Sequence, residues 1–446
     1  MDRSQDERGD AMNTMCMLDY QVVAKELEHH LNLLVKLTAP KATASKRKPL
    51  NLGLVIDRSG SMSGEKLAQA KNAMKMLITH LSSDDLLSIV AFDSGVDVVM
   101  EPTALQNKDA LKTRVDSIQV GGNTNLSGGW IKGIELVGSK ASPDRINRIL
   151  ILTDGQANEG IVAPEQLAAL GASALGQGLS TTTLGFGADF QEDLLTAIAQ
   201  SSGGKFYYIE SADMAPTVFR EELEGLLTLV AQNIELRINV AEPVAMLRQW
   251  TDYPAEAHGL SIRFKLGDAY SEEEKSVLLQ LLVPAMKSLG AAKIADLKLS
   301  FAEIADGKVT LKEVTEEIRV NVTTEEAAKA TGPKVEVLQQ LALQMAAEAR
   351  RDAIKQADGG DYDAARSTLG KVCEQLSSMP VADDPQVKAE IEDIQIQAGS
   401  LQAAEYGSTR KNMQSAAYNL GTSNFAKLQR ERERRRSRSD PGSRPT

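Results

Sequence analysis

Residues 52–62 read Leu-Gly-Leu-Val-Ile-Asp-Arg-Ser-Gly-Ser-Met. The apolar start of this stretch is typical of a strand that is buried on both faces of a parallel sheet. The strand ends at Asp57, and two hydroxyl side chains, Ser59 and Ser61, follow at alternate positions. Ligands of open α/β sheets bind just beyond the carboxyl ends of the strands. The stretch therefore predicts both a fold class and the place of a binding site.

Strand and helix patterns alternate on both sides of this stretch. The alternation predicts a doubly wound, Rossmann-like α/β domain at 48–230 with a mostly parallel sheet. The predicted strands are 52–56, 86–92, 96–100, 148–152, 180–186 and 205–209. The predicted helices are 64–81, 107–118, 127–137, 164–177, 189–200 and 213–230.

Apolar residues then recur at every second position between 231 and 322. This period is typical of half-buried antiparallel strands and predicts a β-sandwich. Residues 17–45 contain a similar apolar segment, which we assign to the same sandwich, so that the α/β domain becomes an insertion. The alternative is a flexible arm.

Two further regions complete the predicted organisation. Residues 324–426 have helical spacing and predict an all-helical region, either a plain bundle or a single tetratricopeptide-type hairpin at 359–366. The charged N-terminus, 1–16, and the Arg-rich tail, 427–446, are predicted to be disordered.

Composition narrows the class of protein. The 446 residues carry a formal charge of -11, which argues against a general nucleic-acid binder. The basic tail also contains Glu431 and Glu433, so we interpret it as a solvated segment rather than a nucleic-acid arm. Cys16 and Cys373 form no paired motif, and no apolar run is long enough for a membrane helix. These features predict a soluble cytoplasmic protein.

Three separated segments supply oxygen ligands for one cation. They are Asp57-x-Ser59-x-Ser61, the glycine-flanked loop 121–127 with Thr124, and the strand end 150–155 with Asp154. A hard cation such as Mg²⁺ prefers six oxygen ligands in an octahedron. Asn123, Asn125 and Ser127 are alternative donors to Thr124 in the same loop. Mn²⁺ and Ca²⁺ are alternative metals.

These residues resemble the von Willebrand factor A domain, in which Asp-x-Ser-x-Ser, a distant Thr and a distant Asp form a metal-ion-dependent adhesion site. Further segments, 91–93, 121–126 and 183–187, resemble the bacterial cytoplasmic branch of that family. The resemblance implies that Ser59, Ser61 and Thr124 ligate the metal directly. It implies that Asp57 and Asp154 act mainly through bound water, and that the sixth position accepts an Asp or Glu from a partner protein.

Competing site chemistries fit the sequence less well. A phosphate-binding loop needs Gly before its Lys and Ser or Thr after it, whereas Glu65 and Leu67 flank Lys66. Ser59 lacks a base marked by spacing, and the four histidines are scattered, so we predict no enzyme and no catalytic residue. The Arg58 guanidinium either contacts an acidic ligand of the site or is a solvated charge of the loop.

The sequence thus predicts a metal-dependent protein-binding scaffold or adaptor. Two alternatives remain from other classes. In the first, the chain is a subunit or adaptor of an AAA+ ATPase or of a kinase-phosphatase system. In the second, it is a structural component of an assembly.

Overall fold

The computed structural model of the protein describes residues 11–42, 47–187, 190–305, 308–402 and 406–439. The strands are β1 (Asn13–Leu18), β2 (Val22–Ala24), β3 (His29–Thr38), β4 (Leu50–Asp57), β5 (Leu86–Phe92), β6 (Val96–Ala104), β7 (Ile146–Thr153), β8 (Ser180–Phe186), β9 (Phe206–Ile209), β10 (Leu229–Val240), β11 (Ala245–Gln249), β12 (Ala255–His258), β13 (Ser261–Tyr270), β14 (Glu274–Val283), β15 (Gly290–Ala305) and β16 (Lys308–Thr323).

The helices follow the same chain order. They are α1 (Glu65–His80), α2 (Lys108–Asp116), α3 (Leu126–Gly138), α4 (Pro164–Gly176), α5 (Glu192–Ser201), α6 (Ala215–Leu227), α7 (Glu325–Lys329), α8 (Val335–Asp358), α9 (Tyr362–Ser378), α10 (Pro385–Gly399), α11 (Tyr406–Gly421) and α12 (Phe425–Ser439). Within the described ranges, no helix has the length and apolar character needed to cross a bilayer.

The α/β domain is built on a sheet of order β6-β5-β4-β7-β8-β9. All neighbours in it run parallel except β6, which pairs antiparallel with β5. Every residue of β4 and of β7 is buried, because helices cover both faces of the sheet. The doubly wound, mostly parallel sheet predicted from the sequence is confirmed.

Strand order reverses at β4, which has β5 on one side and β7 on the other. In such sheets the loops leaving the two adjacent strands part at this point and open a crevice beyond their carboxyl ends. Asp57 is the last residue of β4, and Asp154 directly follows β7. The chain connectivity therefore brings two of the predicted metal ligands to one crevice.

Two sheets form a sandwich beside the α/β domain, and all their neighbouring strands run antiparallel except β2, which pairs parallel with β16. Their strand orders are β1-β3-β14-β11 and β12-β13-β10-β15-β16-β2. The segment that includes β3 is not a free arm, because all ten residues of β3 pair with β14, from Thr38 opposite Glu274 to His29 opposite Val283. The α/β domain lies between β3 and β10 in the chain.

The helical region packs on both other parts of the molecule. Val337 of α8 joins Leu34 of β3 and Leu278 of β14 in a small apolar cluster on the outer face of the sandwich. On the α/β domain, the ring of Tyr418 in α11 lies edge-on to Phe206 of β9, with ring centroids 5.8 Å apart. The Tyr418 hydroxyl also accepts a 3.2 Å hydrogen bond from the Phe206 backbone N–H.

Two predictions of disorder were wrong within the described residues. Residues 13–16 of the predicted disordered segment 1–16 belong to β1, where Cys16 pairs with Val35 of β3. Residues 427–439 of the predicted disordered tail 427–446 belong to α12. Residues 1–10 and 440–446 lie outside the described part of the chain. Both segments are ordered by partners that are remote in sequence.

One predicted helix was too long. The sequence placed a helix at 213–230, whereas α6 ends at Leu227 and β10 begins at Leu229. The apolar residues that continue the helical spacing past Leu227 instead begin the first long strand of the second sandwich sheet. Periodicity does not distinguish a short apolar run in a helix from one in a buried strand.

Candidate metal centre

The carboxylate of Asp57 is fixed at the end of β4 by its own neighbourhood. The side chain is fully buried. Its Oδ1 accepts a 2.8 Å hydrogen bond from the Ser59 backbone N–H, and its Oδ2 accepts one from the Thr153 hydroxyl. Burial raises the pKa of Asp57 to about 6, aided by the nearby carboxylate of Asp154 and opposed by these hydrogen bonds.

Ser59 and Ser61 connect this loop to the end of β7. Their hydroxyl oxygens lie 3.2 Å apart. Ser61 Oγ donates a 2.7 Å hydrogen bond to Oδ1 of Asp154, a carboxylate that is also fully buried. Ser59 is buried whereas Ser61 is exposed, so this group of oxygens reaches from the protein interior to its surface.

Thr124 completes the group from a third segment. A Cβ atom built on Gly155 would lie 2.9 Å from Thr124 Oγ1 and 3.5 Å from Asp57 Oδ2. The hydroxyl and the carboxylate therefore converge on a small space that only a glycine at position 155 leaves open. The Thr124 backbone is held by Asn158, whose Oδ1 accepts a 3.0 Å hydrogen bond from the Thr124 N–H.

The loop before Thr124 is tied to the loop after β4. The Gly121 N–H donates to the Arg58 carbonyl at 2.7 Å, and the Gly60 N–H donates to the Gly122 carbonyl at 2.9 Å. A Cβ on Gly121 would lie 1.6 Å from Asp93 Oδ2, so no other residue fits there without movement. These contacts fix the position of Thr124 relative to the serines.

The alternative donors in this loop are engaged elsewhere. Asn123 donates to Glu159 at 2.8 Å. Asn125 caps α3 by accepting a 2.9 Å hydrogen bond from the Gly128 N–H. The hydroxyl of Ser127 accepts a 2.8 Å hydrogen bond from the Ile161 N–H. Among the four candidates of the loop, Thr124 is the one whose hydroxyl faces Asp57.

A basic residue that the sequence did not single out also faces the group. The Nζ atom of Lys66, in α1, forms an ion pair with Oδ2 of Asp154. Lys66 entered the sequence argument only to exclude a phosphate-binding loop. A signal was present, since a basic residue in the first turn of a helix is disfavoured by the helix dipole and calls for a local anion.

Arg58 does not behave as either interpretation of the sequence expected. Its guanidinium pairs with Asp97 at 2.5 Å and with Asp93 at 3.4 Å, and its side chain is 19% exposed. It is therefore neither a free solvated charge nor an open anion receptor. The Arg58 and Asp93 pair braces the loops that carry Ser59 and Thr124.

The donor set suits a hard cation. Asp57, Ser59, Ser61, Thr124 and Asp154 offer carboxylate and hydroxyl oxygens, which are the ligands that Mg²⁺ prefers. In the described ranges, no group of three or more His, Cys, Asp or Glu side chains forms an alternative metal cluster. The contact network brings together all five residues that the sequence selected. Their role as metal ligands stays a prediction.

Comparisons with known proteins identify the family of the α/β domain. The family model of the von Willebrand factor type A domain matches residues 51–221, which include all five predicted ligands. A Synechocystis protein described as uncharacterised is 31% identical over 288 residues, which are 63% of this chain and 68% of the relative. Mouse inter-alpha-trypsin inhibitor heavy chain H3 is 33% identical over 195 residues, 41% of this chain but only 22% of the mouse protein.

A solved structure extends the similarity beyond the α/β domain. The structure of a von Willebrand factor type A protein from Catenulispora acidiphila has a TM-score of 0.73 at 17% identity. It covers 92% of this chain and 98% of its own length. The shared fold therefore includes most of the sandwich and of the helical region.

Proposed function

The chain belongs to the von Willebrand factor type A domain family, and we propose that it is a metal-dependent protein-binding scaffold or adaptor. Proteins of this family typically mediate protein interactions. The observation that carries the proposal is the convergence of five oxygen-bearing side chains from three distant segments at one sheet edge. The network of Ser59, Ser61 and Asp154 is its core, with contacts of 3.2 and 2.7 Å.

The proposed occupant is Mg²⁺, with Mn²⁺ or Ca²⁺ as alternatives. Ser59, Ser61 and Thr124 would ligate it through their hydroxyls, while Asp57 and Asp154 would hold it mainly through water. The bound cation would supply an open coordination place for a carboxylate of a partner protein. Because the hydroxyl ligands are neutral, the cation keeps positive charge that an Asp or Glu can neutralise through a strong, directional contact.

We also propose that the protein is cytoplasmic, like the bacterial branch of the family that it resembles. The support for this location is the chemistry of the two cysteines, which are both free, as is usual in a reducing compartment. The engagement of tail residues by other helices argues against a nucleic-acid arm, because Arg432 pairs with Glu390 and Arg434 pairs with Glu221. No enzymatic activity is proposed.

Capture of partners with and without metal tests this function. The full chain is immobilised and exposed to an extract of the cells that produce it, in Mg²⁺ or in EDTA. We expect a partner that is retained in Mg²⁺ and lost both in EDTA and with Asp57→Ala. The matched control is Asp116→Ala, which removes an exposed carboxylate paired with Lys75 away from the site.

The same experiment separates the remaining alternatives. An adaptor of an AAA+ ATPase or of a kinase-phosphatase system would lose that machine when the metal is removed. A structural component of an assembly would keep its neighbours in EDTA. Identical capture by wild type and Asp57→Ala, with no effect of EDTA, would refute the metal-dependent function.

A further inference from the structure

Lys66 brings a positive charge directly to the candidate metal centre. Its ammonium contacts Oδ2 of Asp154, while Ser61 donates to Oδ1 of the same carboxylate. The Lys66 side chain is 30% exposed, whereas the Asp154 carboxylate that it contacts is fully buried, so Lys66 links the site to the protein surface. The bare backbone of Gly187 lies on another side, where an added Cβ would be 3.9 Å from Lys66 Nζ.

This ion pair overrides the local preference of the helix. Lys66 is the second residue of α1, and the N-terminal turn of a helix favours negative charge by about 0.3–1 kcal/mol. Glu65 satisfies that preference, whereas Lys66 opposes it. The ion pair with Asp154 offsets this unfavourable position of Lys66. In return, Lys66 supplies the counter-charge that the fully buried Asp154 carboxylate needs.

The charge balance of the site depends on this one lysine. Asp57 and Asp154 carry two negative charges and Lys66 carries one positive charge, so the group is formally minus one. A divalent cation would bring it to plus one. Without Lys66, the same cation would leave the group neutral. Arg58 is not counted in this group, because its guanidinium pairs with Asp93 and Asp97 rather than with Asp57 or Asp154.

We propose that Lys66 is a specificity-determining residue that weakens cation binding and strengthens binding of a carboxylate ligand to the loaded site. The proposal rests on the metal-dependent function and names the residue that sets its charge. Repulsion between the ammonium and the cation lowers metal affinity. The surplus positive charge favours an anion over water or a neutral ligand in the open position.

The inference predicts opposite changes in two affinities. Mn²⁺ binding is measured by isothermal titration, and acetate binding by the fall in water proton relaxation when acetate displaces water from the bound Mn²⁺. In Lys66→Met, we expect Mn²⁺ to bind about tenfold more tightly and acetate about tenfold more weakly. Lys66→Arg keeps the charge and should resemble wild type in both.

Two controls separate the charge from general damage. Lys75→Met removes another ion-paired lysine of α1, whose partner Asp116 is outside the site, and should change neither affinity. Acetamide, a neutral analogue of acetate, should not discriminate between wild type and Lys66→Met. Melting of each variant without metal verifies folding, and Lys66→Met should lose stability there because Asp154 lacks its counter-charge.

Each outcome decides the proposal. Opposite shifts of the two affinities support it. Unchanged affinities in Lys66→Met, or two shifts in the same direction, overturn the role of Lys66 and leave the metal-dependent function intact. Absence of Mn²⁺ and Mg²⁺ binding in the wild type refutes the metal-dependent function and, with it, the role of Lys66. If Lys66→Met does not fold, Lys66→Gln provides the same comparison.

Discussion

Ser61 Oγ donates a 2.7 Å hydrogen bond to Oδ1 of Asp154, although 93 residues of chain separate the two. The other oxygen of that carboxylate contacts Lys66. Asp154 is thus held from two sides by residues of the loop and helix that follow β4. The parallel arrangement of β4 and β7 makes this possible, because both strands end at the same edge. The contact links two of the metal ligands predicted from the sequence.

Gly155→Ala should reduce metal affinity without unfolding the protein. The new Cβ would lie 2.9 Å from Thr124 Oγ1 and 3.5 Å from Asp57 Oδ2, so the Thr124 hydroxyl has to shift from its present position. Changes in groups that orient metal ligands typically cost 10–100-fold in affinity, and we expect about tenfold here. Isothermal titration with Mn²⁺ gives the affinity, and thermal melting verifies the fold.

The matched control is Gly176→Ala. Gly176 ends α4, and a Cβ there would meet nothing within 4 Å. Its metal affinity should equal that of the wild type, with a small gain in stability because alanine favours helices by about 0.5–1 kcal/mol over glycine. Equal affinities in both alanine variants would show that Thr124 does not help to hold the metal.

Much of the candidate site could be predicted because it follows from short sequence distances and from sheet topology. Asp57 and Asp154 end adjacent parallel strands, so their meeting follows once the strands are identified. Lys66 was missed because its importance depends on a contact with Asp154, and spacing along the chain gives no measure of that contact. Contacts between remote side chains are the part that a pattern cannot supply.

The prediction of disorder for residues 427–439 was wrong for the same reason, since it could not include contacts with remote side chains. Residues 427–439 contain few apolar side chains, which suggested disorder, yet Arg, Glu, Lys and Gln are all good helix formers. Their stabilising partners lie on other helices: Arg432 pairs with Glu390 and Asp393 of α10, and Arg434 pairs with Glu221 of α6. Ion pairs replace the apolar stripe that the sequence argument required.

Arg432→Ala should loosen α12. Its guanidinium forms ion pairs with Glu390 and with Asp393, the second at 3.3 Å, and few apolar contacts of α12 would compensate their loss. We expect amide hydrogen exchange in α12 to accelerate by at least about tenfold, which is about 1.4 kcal/mol of opening free energy. Arg430→Ala is the control, because Arg430 is exposed and its Nε donates to the Ala426 carbonyl of its own helix. Equal exchange in the two variants would contradict docking through Arg432.

Arg350→Met should destabilise the helical region strongly. Arg350 of α8 is fully buried, and its guanidinium donates to Glu390 at 2.7 Å and to Gln397 at 2.8 Å. Without Arg350, the buried Glu390 carboxylate keeps only part of its counter-charge, from Arg432, and Gln397 Oε1 loses its Arg350 donor. Loss of one partner of a buried pair typically costs up to about 3–5 kcal/mol. Urea unfolding followed by helical circular dichroism measures the change.

A comparison with an exposed pair tests the cause of that loss. Lys329 and Glu325 of α7 form a pair whose side chains are 76% and 58% exposed. Lys329→Met should leave the free energy of unfolding nearly unchanged, because solvent screens a surface pair. Similar losses in Arg350→Met and Lys329→Met would mean that burial does not set the energy of these interactions.

Lys427 should make stability increase with pH between about 8 and 10. Burial lowers the pKa of Lys427 to about 8, an effect only partly opposed by Glu431, 3.7 Å away, and by Glu222. The unfolded chain keeps the ordinary value of 10.5, so in this window it binds more protons than the folded protein. Stability therefore rises with pH, by about 2 kcal/mol from this lysine across the window. Urea unfolding at pH 7, 8, 9 and 10 measures the slope.

Lys427→Met should remove this contribution, whereas Lys371→Met, at an exposed position of α9, should keep the wild-type slope. Parallel pH profiles for wild type and Lys427→Met would show that the buried ammonium is not the source.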